Sequence, residues 1–232
     1  LLFAPYAHLM DELIRRHLGG RAASASYFFA GGGSYSQPRA VLSAFPAARV
    51  LVAELDPAVT RTAEERLFVA GNAPSITHTD ARMALAAAAP GTYDVVVGDV
   101  FHDVALPYHL TTLEYAALVR SRLGADGLYV LNVVDAFPDP QLAKSIMKTL
   151  AVHFSHVDAW LQAIPDGHGR VTYVISATDG RRPPAELESV YGLARTWYRV
   201  TEPLLQTGAS MDALPVLTDD FVPVERLVSR LL

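Results

Sequence analysis

The sequence predicts an α/β protein built on a doubly wound, mostly parallel sheet. Three observations predict it. Short apolar runs alternate with amphipathic stretches through the first two thirds of the chain. Three glycines follow the first of those runs directly, and acids stand at the ends of the next ones. A turn-rich link then joins the last two runs, which marks an antiparallel pair at the end of the sheet.

Taken in order, an N-terminal helix over about Tyr6–Leu18 precedes the first strand and is expected to cover one edge of the site. Tyr27–Ala30, Arg49–Glu54, Ser75–His78, Tyr93–Gly98 and Leu128–Val134 read as buried strands, rich in β-branched and aromatic residues. Between them lie helical stretches at about Gln37–Ala44, Ala58–Phe68, Ala81–Ala88 and Thr112–Leu123. A helix at about Gln141–Phe154 leads to strands Val157–Ala163 and Val171–Ala177, linked by IPDGHGR with its Asp-Gly and His-Gly turn signals. After the breaker GRRPP come a helix over roughly Ala185–Trp197, a loop, and a final helix from about Val222. Seven strands, mostly parallel with an antiparallel C-terminal strand, are the pattern of class I S-adenosylmethionine-dependent methyltransferase-like (Rossmann-like) sheets. No internal repeat is visible, and residues 1–232 read as a single domain.

Composition narrows the function. The chain of 232 residues is 51% hydrophobic and 19% charged, enough apolar material for a sizeable core. A net charge of -5 without a basic run argues against nucleic acid as a partner. With no cysteine, disulfide frameworks, thiolate metal sites and thiol nucleophiles are excluded. A cysteine-free chain is compatible with the cytoplasm, the expected location. No apolar stretch approaches the roughly 18–20 residues that span a bilayer. The chain opens at Leu1, so it reads as an excised piece or one part of a longer chain, with membrane segments elsewhere left open.

The chemistry collects at strand ends, where open α/β sheets bind ligands. Gly31, Gly32 and Gly33 let backbone approach a ligand closely at a helix N-terminus; Ser36 breaks the full G-x-G-x-x-G spacing, which weakens a pyrophosphate reading. The plainer alternative is a tight turn. Glu54 ends the second strand about where an acid meets ribose hydroxyls, while Asp56-Pro57 already supplies the next helix start. Asp80, with Ala81 after it, stands where a carboxylate would face an adenine amine, or would simply cap the helix. Asp99 ends the fourth strand, well placed for a proton-transfer or an amine-binding role, and is the candidate catalytic residue. Asp103 and Tyr108, with Phe101, could flank an alkylammonium, charge on one side and ring faces on the other; Asp103 reads equally as a solvated loop acid. His102 and His109 lack a third metal ligand at a recognisable spacing and read as loop or packing residues, so no metal is expected. Asp219-Asp220 reads either as a metal or amine site or as a helix start.

Together these residues resemble the spermidine synthase (polyamine aminopropyltransferase) family, especially the spermidine-synthase-like domains found alone or fused to membrane segments in bacteria. The resemblance rests on Tyr6 to Met10, GGGSYSQPR (31–39), VAELDP (52–57), HTDAR (78–82), YDVVVGDVF (93–101), PYHLTTLEY (107–115), LNVVD (131–135) and VLTDDFVPVERL (216–227). It implies decarboxylated S-adenosylmethionine as co-substrate, a small-molecule amine as acceptor, and methylthioadenosine as product. By the match, Glu54 holds the ribose, Asp80 and Ala81 the adenine, Tyr6, Asp103 and Tyr108 the acceptor, and Asp99 takes its proton. Ser34 replaces the family's aspartate after the glycines, His102 stands at the second acid of its D-x-x-D, and the family's small N-terminal β domain is missing. Two alternatives stay open: a methyltransferase using intact S-adenosylmethionine, and a non-catalytic nucleoside-binding domain of a larger membrane protein. A homodimer also stays open.

Overall fold

A computed structural model describes residues 2, 4–67, 73–100 and 107–229 of the chain. Helix α1 (Pro5–Leu18) leads into β1 (Ser26–Ala30), α2 (Ser36–Ala44), β2 (Arg49–Ala53), α3 (Pro57–Leu67), β3 (Ser75–Thr77), α4 (Ala81–Ala87) and β4 (Tyr93–Gly98). Then follow α5 (Leu113–Arg122), β5 (Leu123–Phe137), α6 (Gln141–Leu150), β6 (His156–Leu161) and β7 (Gly169–Thr178). Strands β8 (Glu186–Glu188) and β9 (Thr196–Arg199), then short helices α7 (Thr201–Leu205) and α8 (Val224–Leu227), complete the described chain.

All nine strands form one sheet in the order β3-β2-β1-β4-β5-β7-β6-β9-β8. The first five pair in parallel, and β7 inserts antiparallel between β5 and β6. Strand order reverses at β1, which has β2 on one side and β4 on the other. A ligand crevice opens at the carboxyl end of such a switch point.

The central strands are apolar on both faces through most of their length because both faces are covered. Tyr27 and Phe29 pack with Val50, Val52, Val95 and Val97 on the face that carries α1 and α2. Phe28, Val96, Leu131 and Val133 pack on the other face, with Leu85, Tyr115, Val119 and Ile146 from α4, α5 and α6. Helix α1 is fastened by buried acids as well as by its apolar stripe. Glu12 accepts from Arg16 at 2.9 Å and from the Val190 amide at 3.3 Å, while Asp11 accepts from Arg15 at 2.6 Å and from the Tyr191 hydroxyl.

The sequence misled at the C-terminal end. The helix predicted over 185–197 is a β8–β9 hairpin that widens the sheet from seven strands to nine, with Leu187 opposite Trp197. Leu187, Val190, Leu193 and Trp197 imitate a helical stripe, yet only Leu187 and Trp197 are buried; Val190 is 70% exposed and Leu193 41%. The turn between them runs through Gly192 at φ 73°, which breaks a helix. The final helix predicted from Val222 is confined, within the described residues, to the single turn Val224–Leu227.

Candidate active site

Sheet register sets the site out as a row. Ala30 is level with Ala53 and with Gly98, and Ala53 is level with Thr77. One residue beyond each stand Gly31, Glu54, Asp99 and His78, with Asp80 two residues past His78. Neighbouring strands lie about 4.8 Å apart, so the row from the end of β3 to the end of β4 spans roughly 14 Å.

Gly31 is fixed by close approach. It has φ 86°, and a Cβ there would fall 2.8 Å from the Asp99 carbonyl oxygen. Gly32 lies over the ring of Tyr35, where a Cβ would meet Cζ at 2.4 Å. Tyr35 adopts the left-handed conformation, is fully buried, and bonds Thr60 Oγ1 at 2.6 Å; Thr60 in turn meets His78 Nε2 at 3.0 Å. This chain of contacts floors the glycine loop.

The glycine amides do not face outward as the sequence suggested. Gly31 donates to the Ala53 carbonyl at 2.9 Å, and Gly32 and Gly33 donate to Glu54 Oε2 at 2.9 and 3.3 Å. The other oxygen, Oε1, accepts from the Asp56 amide at 3.0 Å. The buried carboxylate of Glu54 therefore organises the loop, and the glycines contribute room rather than donors. A carboxylate has about four acceptor positions, so some of its capacity remains.

Asp80 does two jobs. Its Oδ1 caps α4, accepting from the Arg82 and Met83 amides at 2.9 and 3.3 Å, and its Oδ2 lies 2.8 Å from His109 Nε2. Burial works against ionisation, but His109 and the helix amides hold the carboxyl below its usual range. Ala81 is buried at the first position of α4. Arg82 forms a two-pronged pair with Asp219 at 2.8 and 2.6 Å, and Asp219 also accepts from Thr112 at 2.7 Å. Asp219 is thus a clasp that ties the C-terminal segment to the start of α4, rather than a free ligand.

At the other end of the row, a cleft of about 480 Å³ opens at the ends of β1 and β4. Tyr6 and Ala7 of α1, the three glycines, Ser34, Gln37 and Asp99 line it. The register pair Gly98–Leu131 brings Asn132 beside Asp99, and its Nδ2 donates to Asp99 Oδ1 at 2.9 Å. Burial pushes the Asp99 carboxyl above its usual range, against the pull of the Asn132 bond. Burial also raises the Tyr6 phenol, and the Asp99 charge raises it further.

A larger groove of about 580 Å³ adjoins, lined by Arg15, Ser36, Arg39 and Tyr191 among others, with no acid among its described lining residues. The cleft at β1 and β4 reaches the strand-end carboxylate of Asp99. The structure therefore brings Gly31–Gly33, Tyr6 and Asp99 together around one space, with Glu54 behind the glycines and Asp80 further along the sheet edge. Tyr108 does not join them: it is 59% exposed, its ring against that of His109. Phe101, His102 and Asp103 lie outside the described residues.

Two amides escaped sequence reasoning. Asn132 is 1% exposed and its Oδ1 has no partner among the described residues. Gln37 is 7% exposed; its Nε2 lies 3.6 Å from the Met10 sulfur, and its Oε1 has no such partner either. A buried acceptor left without a donor costs about 1–3 kcal/mol. A lone amide inside the apolar run LYVLNVV is the signal that could have exposed Asn132.

The architecture defines the class: an α/β protein with the methyltransferase-like sheet. No family model matches the chain. A "Probable polyamine aminopropyl transferase" of Bifidobacterium longum is 26% identical over 227 residues, 90% of this chain and 50% of that protein. A "Polyamine aminopropyltransferase" of Vibrio vulnificus is 30% identical over 105 residues, 44% of this chain. Among solved structures, a probable spermidine synthase from Corynebacterium glutamicum superposes with TM-score 0.75 at 22% identity, covering 94% of this chain and 84% of that one. Human methyltransferase-like protein 13 in complex with SAH gives 0.58 at 20% identity, covering 72% and 82%. Within the methyltransferase-like fold, the chain is similar to polyamine aminopropyltransferases in sequence and to a spermidine synthase in structure. It spans half the length of the Bifidobacterium relative.

Proposed function

We propose that this chain is an aminopropyltransferase that uses decarboxylated S-adenosylmethionine and a small-molecule amine, and that the strand-end row is its active site. The observation that carries the reading is the row itself: Glu54 and Asp99 held level by register past β2 and β4, with Asp80 a little further on past β3, flanking a glycine crevice at the switch point. The names of the curated relatives support the same reaction.

The chain's residues fit such a nucleoside. Asp80 keeps one acceptor position free beside its cap and its histidine, enough for an exocyclic amine. Glu54 keeps one acceptor position for a ribose hydroxyl while it holds the glycine loop rigid. Gly31 keeps open a space that any Cβ would fill. The co-substrate supplies an aminopropyl carbon activated by its sulfonium, and leaves as neutral methylthioadenosine once the acceptor nitrogen has taken that carbon.

Asp99 does the proton work. An alkylamine has a pKa of about 10, like lysine, and attacks only after losing a proton. The Asp99 carboxylate oxygens receive it, general-base chemistry typically worth about 10²–10⁴ in rate. Partial burial makes Asp99 a stronger base than a solvated aspartate. Asn132 holds its orientation through the Oδ1 bond. Tyr6 bounds the acceptor end of the same cleft.

One feature favours a second reading. Ser34 stands at the mouth of the cleft, its hydroxyl 2.8 Å from that of Ser36, at a position where an acid would repel a cofactor carboxylate and a serine does not. A methyltransferase using intact S-adenosylmethionine would fit there. Mass spectrometry of products decides, with each sulfonium cofactor offered alongside a panel of polyamines. Methylthioadenosine release supports aminopropyl transfer; S-adenosylhomocysteine release supports methyl transfer and overturns it; neither product leaves a nucleoside-binding domain.

A further inference from the structure

We infer that Gln37 is a specificity residue, whose side-chain carbonyl accepts a hydrogen bond from the ammonium at the end of the co-substrate's aminopropyl tail. This rests on the proposed function and adds a residue to it.

Within the described residues, Gln37 does not spend its side-chain carbonyl on the fold. It occupies the first turn of α2, in the wall of the cleft that also holds Asp99 and Tyr6. The Met10 thioether can only accept, so the amide nitrogen faces it and the carbonyl is the group left over. That carbonyl is buried without a donor among the described residues. Buried acceptors without donors are uncommon in folded proteins, and one in a cleft wall is open to a donor that a ligand brings. An alkylammonium is such a donor: three N–H groups and no acceptor, like the head of a lysine.

Position selects the tail over the acceptor amine. Gln37 lies three residues past Ser34, on the glycine-loop side of the cleft, whereas Asp99 ends β4 on the other. Ser34 supplies no negative charge. A neutral carbonyl there binds an ammonium without strongly repelling a carboxylate, so discrimination between the decarboxylated and intact cofactors should be modest. Gln37→Glu should sharpen it.

The test is calorimetry of decarboxylated S-adenosylmethionine, intact S-adenosylmethionine and methylthioadenosine, each without acceptor, on wild type, Gln37→Leu and Gln37→Glu, with melting temperatures alongside. Methylthioadenosine lacks the ammonium and serves as the internal reference. Gln37→Leu should weaken the decarboxylated cofactor by about tenfold to a hundredfold, leave methylthioadenosine unchanged, and hold or raise the melting temperature, since an unmet polar group is gone. Gln37→Glu should tighten the decarboxylated cofactor and weaken the intact one. An unchanged ratio of the decarboxylated-cofactor and methylthioadenosine affinities in Gln37→Leu overturns the inference. So does a parallel loss of both with a lower melting temperature, which marks a structural role. A higher acceptor KM with unchanged cofactor affinity overturns the assignment to the tail. Wild type that binds neither decarboxylated S-adenosylmethionine nor methylthioadenosine overturns the proposed function itself, and this inference with it.

Discussion

Replacing Asp99 by asparagine separates chemistry from folding. The substitution keeps the shape, and the new amide can turn its oxygen toward Asn132 Nδ2, preserving the 2.9 Å bond. It removes a carboxylate whose ionisation burial disfavours. Melting temperature should therefore hold or rise at neutral pH. Turnover should fall by about 10²–10⁴, the usual contribution of a general base. Asp99→Ala is the contrast: it strands Asn132 Nδ2 in a buried site at a cost of about 1–3 kcal/mol. At roughly 2–4 °C per kcal/mol for a chain of this size, that is a fall of several degrees. The pH profile adds a third readout. The active form is the carboxylate, so wild-type turnover should be lost as pH falls through a carboxyl pKa above the usual value, and residual Asp99→Asn activity should lack that limb. Steady-state kinetics with the best acceptor, beside thermal unfolding of all three proteins, supplies the data. A fully active Asp99→Asn protein would refute the base assignment; an equal loss of melting temperature in both variants would refute the argument about Asn132.

Three further expectations follow from the contacts. Glu54→Ala removes the acceptor shared by the Gly32 and Gly33 amides, so methylthioadenosine affinity should drop by about 1.5–3 kcal/mol and the melting temperature should fall with it, read by calorimetry and thermal scans; unchanged affinity would move the ribose site elsewhere. Asp135 is fully buried, and burial lifts its carboxyl from 3.8 to about 6 against the pull of backbone amides. The folded state then binds the extra proton between those values, so stability from this group, about 3 kcal/mol, is present at low pH and lost as pH rises through that window; denaturant titrations of wild type and Asp135→Asn should differ by that pH dependence, and parallel curves would refute it. For Asp219, the bond to Arg82 leads the causes that lower its carboxyl to about 2, so its contribution is present above 3.8 and lost as pH falls toward 2. Because Asp219 is 41% exposed, Asp219→Ala should cost only about 0.5–1 kcal/mol, measured by chemical denaturation at neutral pH; a much larger loss would mean the clasp holds more than its own ion pair.

The order of strands and helices up to β7 was legible in the sequence because it depends on local periodicity. Buried parallel strands need largely apolar runs, and YFFA, VLVA and VVVG supply them. The strand-end positions of Glu54, Asp80 and Asp99 were legible for the same reason, since a strand's end is marked by the residue that stops its apolar run. Tertiary structure decided what each of those acids touches. Glu54 turns back to the glycine amides, Asp80 divides itself between a helix cap and His109, and Asp99 meets Asn132 across a strand pairing that no local pattern encodes. The hairpin over 186–199 was decided there too: Leu187 and Trp197 fit both a helical and an alternating reading, and the open edge of the sheet beside β6 selects the strand. The clasp between Arg82 and Asp219 joins residues 137 positions apart. Periodicity reports which face of an element is apolar, whereas the partner of a polar side chain is fixed only when distant segments have packed, and that pairing sets charge and orientation at the site.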